Sequence, residues 1–182
     1  MQGQSLTTLV RTHLQQVLAG KPGLMPAAVV AAQPELQQPG ACFITLTRAG
    51  QLQGCIGSLE AHRPLVNDLL ENAVASATRD PRFPPLKVEV LPEIRIEVSL
   101  LTPPQPFPYR DVADLMVRLQ PGIHGVTLSL QGRRATFLPQ VWEQLPDPEQ
   151  FLRHLCQKAG LPGNCCQQHP EIFVYMAEKF KE

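Results

Sequence analysis

The chain has 182 residues, and its sixteen basic and sixteen acidic side chains cancel to a formal charge of zero. That length suffices for one domain with a sizeable core, or for one domain with two lobes. The neutral balance lacks the electrostatic footprint of a duplex nucleic-acid binder, no apolar run is long enough to span a membrane, and the alternating N-terminus does not read as a signal peptide.

Leu6, Leu9, Val10, Leu14, Val17 and Leu18 recur at helical spacing ahead of Gly20, which predicts an amphipathic helix over 5–19. His13 falls on or beside its apolar face and reads as a partly buried helix histidine. Residues 21–40, rich in Pro, Ala and Gln, read as a surface connection in which 27–32 forms a short turn of helix. The run from Cys42 to Thr47 is β-prone, Gly50 marks a turn and 52–59 returns, so 41–59 is a hairpin. Pro64 suits the first turn of a helix whose apolar stripe is Val66, Leu69, Leu70, Ala73, Val74 and Ala77. That helix stops by Asp80, because Pro81 pushes the residue before it out of helical geometry. A rigid corner, Asp80-Pro81-Arg82-Phe83-Pro84-Pro85, follows. Ile94, Ile96, Val98 and Leu100 then alternate with Arg95, Glu97 and Ser99, a strand with one polar face.

Beyond a proline-rich link at 102–108, Val112, Leu115, Met116 and Leu119 mark a short helix that Pro121-Gly122 ends. His124, Val126, Leu128 and Leu130 share one strand face, Gly132 turns the chain, and 135–138 returns. Phe151, Leu152, Leu155, Cys156 and Ala159 form a further helical stripe, closed by Gly160, and Ile172–Met176 is a last strand. Leu70 and Phe137 are expected to be buried.

The two halves match at a constant separation of 82 residues (44 to 126, 50 to 132). Ile44-Thr45-Leu46 corresponds to Val126-Thr127-Leu128, Gly50 to Gly132, and Cys55 to Phe137. The stripe Leu69, Leu70, Ala73, Val74, Ala77 maps onto Phe151, Leu152, Leu155, Cys156, Ala159. A unit of hairpin, helix and strand is thus used twice, over about 40–101 and 122–177, within a single domain of 1–182. The fold class is α+β: a mainly antiparallel sheet with flanking helices.

The stretch Leu52-Gln53-Gly54-Cys55-Ile56-Gly57 is the candidate site. Glycine in a strand marks a bulge or a close approach to the backbone, and two of them beside one thiol leave room for a ligand. Against this, a two-residue hairpin loop pairs Phe137 with Val126 and, by correspondence, Cys55 with Ile44 on the core face. A glycine bulge would shift that register by one and flip the face. A buried inert thiol and a ligand-contacting thiol both remain open. The Cys/His pair chosen for thiol catalysis is Cys55 with His124, since imidazole lowers a thiol's pKa or takes its proton; Glu97 or Glu60 would orient the ring. Gln53, Gly54, Gly57, Arg82 and Glu97 are the residues expected around the ligand or groove. Asp80 and Arg82 either bind an anion or pair with each other, and the preferred reading is that Asp80 helps close the helix end while Arg82 makes a structural ion pair. No two ligand residues have zinc spacing, no phosphate loop is present, and no close cysteine triplet encodes a radical cluster, so no metal or cofactor is expected in this chain. Five cysteines without framework spacing read as free thiols in a reducing cytoplasm.

Leu52-Gln53-Gly54-Cys55-Ile56-Gly57, Asp80-Pro81-Arg82-Phe83, Val98-Ser99-Leu100-Leu101, His124-Gly125, Phe137-Leu138-Pro139-Gln140-Val141 and Lys158-Ala159-Gly160 together resemble one family. It is the AMMECR domain family, called AmmeMemoRadiSam system protein A in prokaryotes. The resemblance runs from about Gly40 to the C-terminal strand. It implies an α+β protein with two unequal lobes and a groove between them. It also implies association with a Memo-like protein and a radical S-adenosylmethionine enzyme, and no established reaction. The family's motif usually has arginine where this chain has Gln53, and a tryptophan expected after Lys158-Ala159-Gly160 is replaced by the Asn164-Cys165-Cys166 region. Two function classes follow: an accessory enzyme that uses a thiol, or a non-catalytic module that binds a small molecule or a protein partner.

Overall fold

Ser5 accepts a hydrogen bond from the Thr8 N–H at 3.2 Å and so caps helix α1 (Leu6–Leu18), starting the helix where its apolar periodicity begins. The computed structural model describes residues 5–182, in two units: residues up to Leu101 together with Glu178–Glu182, and Thr102–Ala177. In the first unit α1 is followed by α2 (Pro26–Ala32), strands β1 (Ala41–Arg48) and β2 (Gln51–Gly57), helix α3 (Leu65–Thr78) and strand β3 (Ile94–Leu101). The second holds β4 (Gln105–Pro106), α4 (Val112–Arg118), β5 (Gly125–Leu130), β6 (Arg133–Phe137), α5 (Pro148–Lys158) and β7 (Glu171–Tyr175). Strand β8 (Ala177–Lys181) closes the chain.

The sequence repeat is a structural repeat. One sheet has the order β2-β1-β3-β8 and the other β6-β5-β7-β4, so each hairpin's first strand is central and the strand after the helix lies beside it. The pairings of β1 with β2 and β3, and of β5 with β6 and β7, are antiparallel. Both hairpins turn on two left-handed residues, Ala49 and Gly50 (φ 48° and 78°) and Gln131 and Gly132 (φ 53° and 75°). Two residues with positive φ give the turn whose twist matches that of its strands. Gly50 and Gly132 are therefore equivalent, as the repeat predicts, and the fold is α+β.

Each unit has its own core. In the first, Leu9, Val10 and Leu14 of α1 and Leu69, Ala73 and Ala77 of α3 pack with Ile44, Leu46, Ile96 and Val98. In the second, Leu115, Val126, Leu128, Leu155 and Ile172 share a core with Phe151, against which Trp142 stacks at 3.7 Å between ring centroids. Each fully buried leucine or phenylalanine contributes roughly 1.5–3 kcal/mol.

Three expectations need correction. Strand β8 was not foreseen: its short run, Ala177-Glu178-Lys179-Phe180-Lys181, carries too little apolar alternation to announce a strand, and it exists because the first sheet offers it an edge. Phe137 is half-buried rather than buried, because β6 is the edge strand of its sheet, although its ring meets Phe151 edge-on at 5.3 Å. Leu70, by contrast, is buried. The cysteines are not all free: Cys156 and Cys165 are disulfide-bonded, while Cys42, Cys55 and Cys166 are thiols. The end of α5 and a short turn over Cys165–Gln168 bring two α-carbons 6.0 Å apart that no framework spacing announces. The bridge removes the cysteines as a sign of a reducing compartment. No helix of the described residues is long and apolar enough to cross a membrane.

Candidate functional site

The hairpin of β1 and β2 contains a bulge. Leu46 faces Gly54 and Thr47 faces Leu52, so Gln53 is the extra residue. The slip of one place sets Cys55 opposite Thr45 and Ile56 opposite Ile44, whereas in the other hairpin Phe137 faces Val126. Because strand side chains alternate, that slip turns Cys55 away from the α3 side of the sheet. The thiol is half-buried, and its sulfur lies 3.3 Å from the Thr45 hydroxyl. The bulge is the alternative that the two hairpins, read by strict correspondence, would have missed.

Gly54 and Gly57 serve close packing of the protein on itself. A Cβ on Gly54 would meet the Ser76 carbonyl oxygen of α3, and one on Gly57 would meet the Phe43 ring and the Cys42 carbonyl oxygen. The expectation that these glycines open a path to Cys55 is therefore corrected: their missing side chains are filled by backbone and ring atoms.

Four polar residues spaced four apart fasten α3 and its exit to the hairpin. Asp68 accepts from the Cys42 N–H at 2.9 Å, and Asn72 donates to the Cys42 carbonyl at 3.3 Å. Ser76 donates to the Ile44 carbonyl at 2.9 Å and accepts from the Ile56 N–H at 3.0 Å. Asp80, just past the helix, accepts from the Cys55 N–H at 2.9 Å. All four are buried. Buried polar groups persist where they are hydrogen-bonded, and these are. The spacing is visible in the sequence as polar residues at every fourth place, 68, 72, 76 and 80, along α3 and its exit, a signal that the search for an apolar stripe passes over.

The corner after α3 now has a physical role. Arg82 pairs with Asp80 through Nη2 at 2.7 Å and Nε at 2.9 Å, and its Nη2 also reaches the Cys55 carbonyl at 3.3 Å. Asp80 and Arg82 thus satisfy both backbone groups of Cys55, at the outer strand of the sheet. An uncovered strand edge is a template for pairing with another chain, and an ion pair blunts it. The Arg82 hydrogen bonds hold the Asp80 carboxyl well below the usual carboxylate range against the opposing effect of burial, with the Cys55 and Arg82 N–H groups adding to the effect. Arg82 thus makes the structural ion pair expected of it, with Asp80, whereas the carboxylate expected to close the helix end instead accepts from the Cys55 and Arg82 N–H groups.

Glu97 of β3 faces Thr45 from the other side, so thiol, hydroxyl and carboxylate form one row across three strands. Lys181 reaches Glu97 at 3.1 Å and Lys179 at 3.8 Å, while the Ser99 hydroxyl donates to it at 3.4 Å. His124 belongs to the second unit. There its Nδ1 accepts from the Gln120 N–H at 3.1 Å, its ring packs edge-on against Phe107 at 5.7 Å, and its carbonyl accepts from the Trp142 indole at 2.7 Å. An acceptor Nδ1 leaves the proton of the neutral ring on Nε2, and burial lowers the pKa below the ordinary histidine value. Gln53 turns its amide back on the Leu52 carbonyl at 3.1 Å. Glu60 lies on the exposed loop after β2.

The AMMECR1 family profile matches residues 7–180. A protein of Methanothermobacter thermautotrophicus is 38% identical over 177 residues, covering 96% of this chain and 90% of its own length. Protein MJ0810 of Methanocaldococcus jannaschii is 34% identical over 186 residues, covering 100% of this chain and 90% of its own. The crystal structure of the uncharacterized protein PH0010 from Pyrococcus horikoshii superposes with a TM-score of 0.79 at 32% identity, over 97% of this chain and 89% of that one. The chain belongs to the AMMECR1 family.

Proposed function

We propose that this member of the AMMECR1 family is a non-catalytic accessory module, whose contact surface is the row of Cys55, Thr45 and Glu97. The partners are those that the family resemblance implies, a Memo-like protein and a radical S-adenosylmethionine enzyme, or a small molecule that passes between them. The observation that carries the reading is the environment of Cys55. Its sulfur is paired with a hydroxyl, and a hydroxyl does not take up a thiol's proton at neutral pH. In this reading His124 is a structural residue, because its Nδ1 already holds the Gln120 N–H. The row offers a thiol, a hydroxyl and a carboxylate with two lysines beside it, a set that recognises a polar group by hydrogen bonds.

The test is co-purification of the wild-type chain, Cys55→Ser and Glu97→Gln with each partner protein, followed by mass spectrometry of retained proteins and small molecules. Cys55→Ser should weaken capture by about tenfold or less, the effect of one modest contact of about 1.4 kcal/mol. Glu97→Gln should weaken it further, because the lysines lose their counter-charge. A turnover abolished by Cys55→Ser, with stability unchanged and iodoacetamide labelling of the native thiol at neutral pH, would instead establish a thiol enzyme.

A further inference from the structure

Three sulfur atoms converge in the second unit. Cys156 stands in the last turn of α5, and Cys165 and Cys166 open the short turn that follows. All three sulfurs lie within 4.8 Å of one another, and all three residues are buried. Cys156 is bridged to Cys165, and the Cys166 sulfur stands 3.8 Å from that of Cys156. The backbone fixes the arrangement: the Leu161 N–H bonds the Cys156 carbonyl at 3.0 Å and the Cys165 N–H bonds the Pro162 carbonyl at 2.9 Å. Leu115, Leu152, Leu155 and Leu161 belong to the same core cluster.

The geometry points to a site for a thiophilic d10 cation, Zn(II) or Cu(I), formed by Cys156, Cys165 and Cys166 once the bridge is open. Three features carry this. The donor set is all sulfur, since among the described residues no histidine or carboxylate joins the group at that distance. Thiolates select Zn(II) and Cu(I), whereas Mg(II) and Ca(II) demand oxygen. A tetrahedral ion with Zn–S bonds of about 2.3 Å separates its sulfurs by about 3.8 Å, which is the distance from Cys156 to Cys166. Lastly, a cavity of about 190 Å³ opens on Cys166, with Met116, Leu152 and Asn164 in its wall. An open zinc site has three protein ligands and keeps its fourth position for water, which this cavity would supply; Cu(I) is satisfied by three sulfurs.

The chemistry is redox-gated. A dithiol reductant gives two electrons and two protons to the Cys156–Cys165 bridge and leaves as its own disulfide. The chain then carries three thiols, and the ion replaces their protons, which pass to solvent. The bridged form offers one buried thiol and holds no ion.

The full chain, reduced with a phosphine and desalted without oxygen, is titrated with Zn(II), with Co(II) as its coloured stand-in, and separately with Cu(I) supplied as a bicinchoninate complex. The reduced protein should retain one ion per chain with thiolate-to-metal charge-transfer absorption, and the bridged protein none. Retention of Zn(II) with an exchangeable water identifies the four-coordinate form, and retention of Cu(I) alone the three-coordinate form. Cys166→Ala keeps the bridge, so its fold is checked by circular dichroism before reduction. After reduction it should bind about tenfold or more weakly, at least the loss usual when a supporting group of a metal site is removed. Cys55→Ser should bind as the wild type does. A reduced chain that retains neither ion overturns the proposal. So does Cys166→Ala binding as tightly as the wild type, or a reduced chain that loses its near-ultraviolet spectrum and does not regain it with either ion.

Discussion

Gly54→Ala separates the two reasons a glycine can stand beside Cys55. The place that the new methyl group needs is held by the Ser76 carbonyl oxygen. That atom belongs to the backbone of α3 and cannot swing aside as the end of a side chain would, so strand and helix must part. Overpacking of a filled site costs about 1–3 kcal/mol. Separation also stretches the bonds of the Ser76 hydroxyl to the Ile44 carbonyl and the Ile56 N–H, and that of Asp80 to the Cys55 N–H. With each hydrogen bond contributing about 0.5–1.5 kcal/mol, loss of two brings the expected total to about 2–6 kcal/mol, a large share of the ~5–15 kcal/mol that holds a domain folded. The assay is urea unfolding of Gly54→Ala beside Gly50→Ala, reading the midpoint at constant slope. Gly50 has nothing within 4 Å of its added Cβ, and only its left-handed backbone (φ 78°) opposes the change. It should lose about 1–2 kcal/mol. A Gly54→Ala loss below roughly 1 kcal/mol would refute the packing role and return the glycine to the access role.

Asp80→Ala should destabilise the chain by about 1–3 kcal/mol, measured by the same unfolding, because it leaves the Cys55 N–H and Arg82 without their acceptor while Arg82 stays half in solvent. Asp80→Asn should recover part of the loss by keeping an oxygen for the N–H. Burial lowers the pKa of both His13 and His124, and each ring's Nδ1 accepts a backbone N–H, from Leu24 and Gln120. The unfolded chain therefore binds protons before the folded one. Their contribution is complete above the ordinary histidine pKa of about 6.5 and falls as pH drops below it. A midpoint that stays level from about pH 7 to pH 5 would refute this, and His13→Gln should flatten part of the slope. Leu70→Ala should cost about 2–5 kcal/mol, and Phe137→Ala less than its full-burial value, since β6 is an edge strand and Phe137 is only half-buried.

Much of the fold follows from local sequence. Apolar spacing, the Ser5 cap, Pro64, Pro81 and the glycines of the two turns set the first helix, both hairpins and α3 within a residue or two, because each signal acts through neighbours along the chain. The repeat was legible too, since equal spacing of a strand, a turn and a helical stripe requires only the sequence. What tertiary structure decided are the features that depend on contact at a distance. The bulge at Gln53 sets which face Cys55 takes, and it arises where β2 must fit both β1 and α3. Gly54 and Gly57 read identically as access or as packing until the atoms opposite them are known. Strand β8 forms only because the first sheet has an edge to give it, and the Cys156–Cys165 bridge only because α5 and the turn after it fold back on each other. A sequence carries the period of its side chains, whereas a register, a sheet edge and a sulfur–sulfur contact are relations between segments, and packing alone settles them.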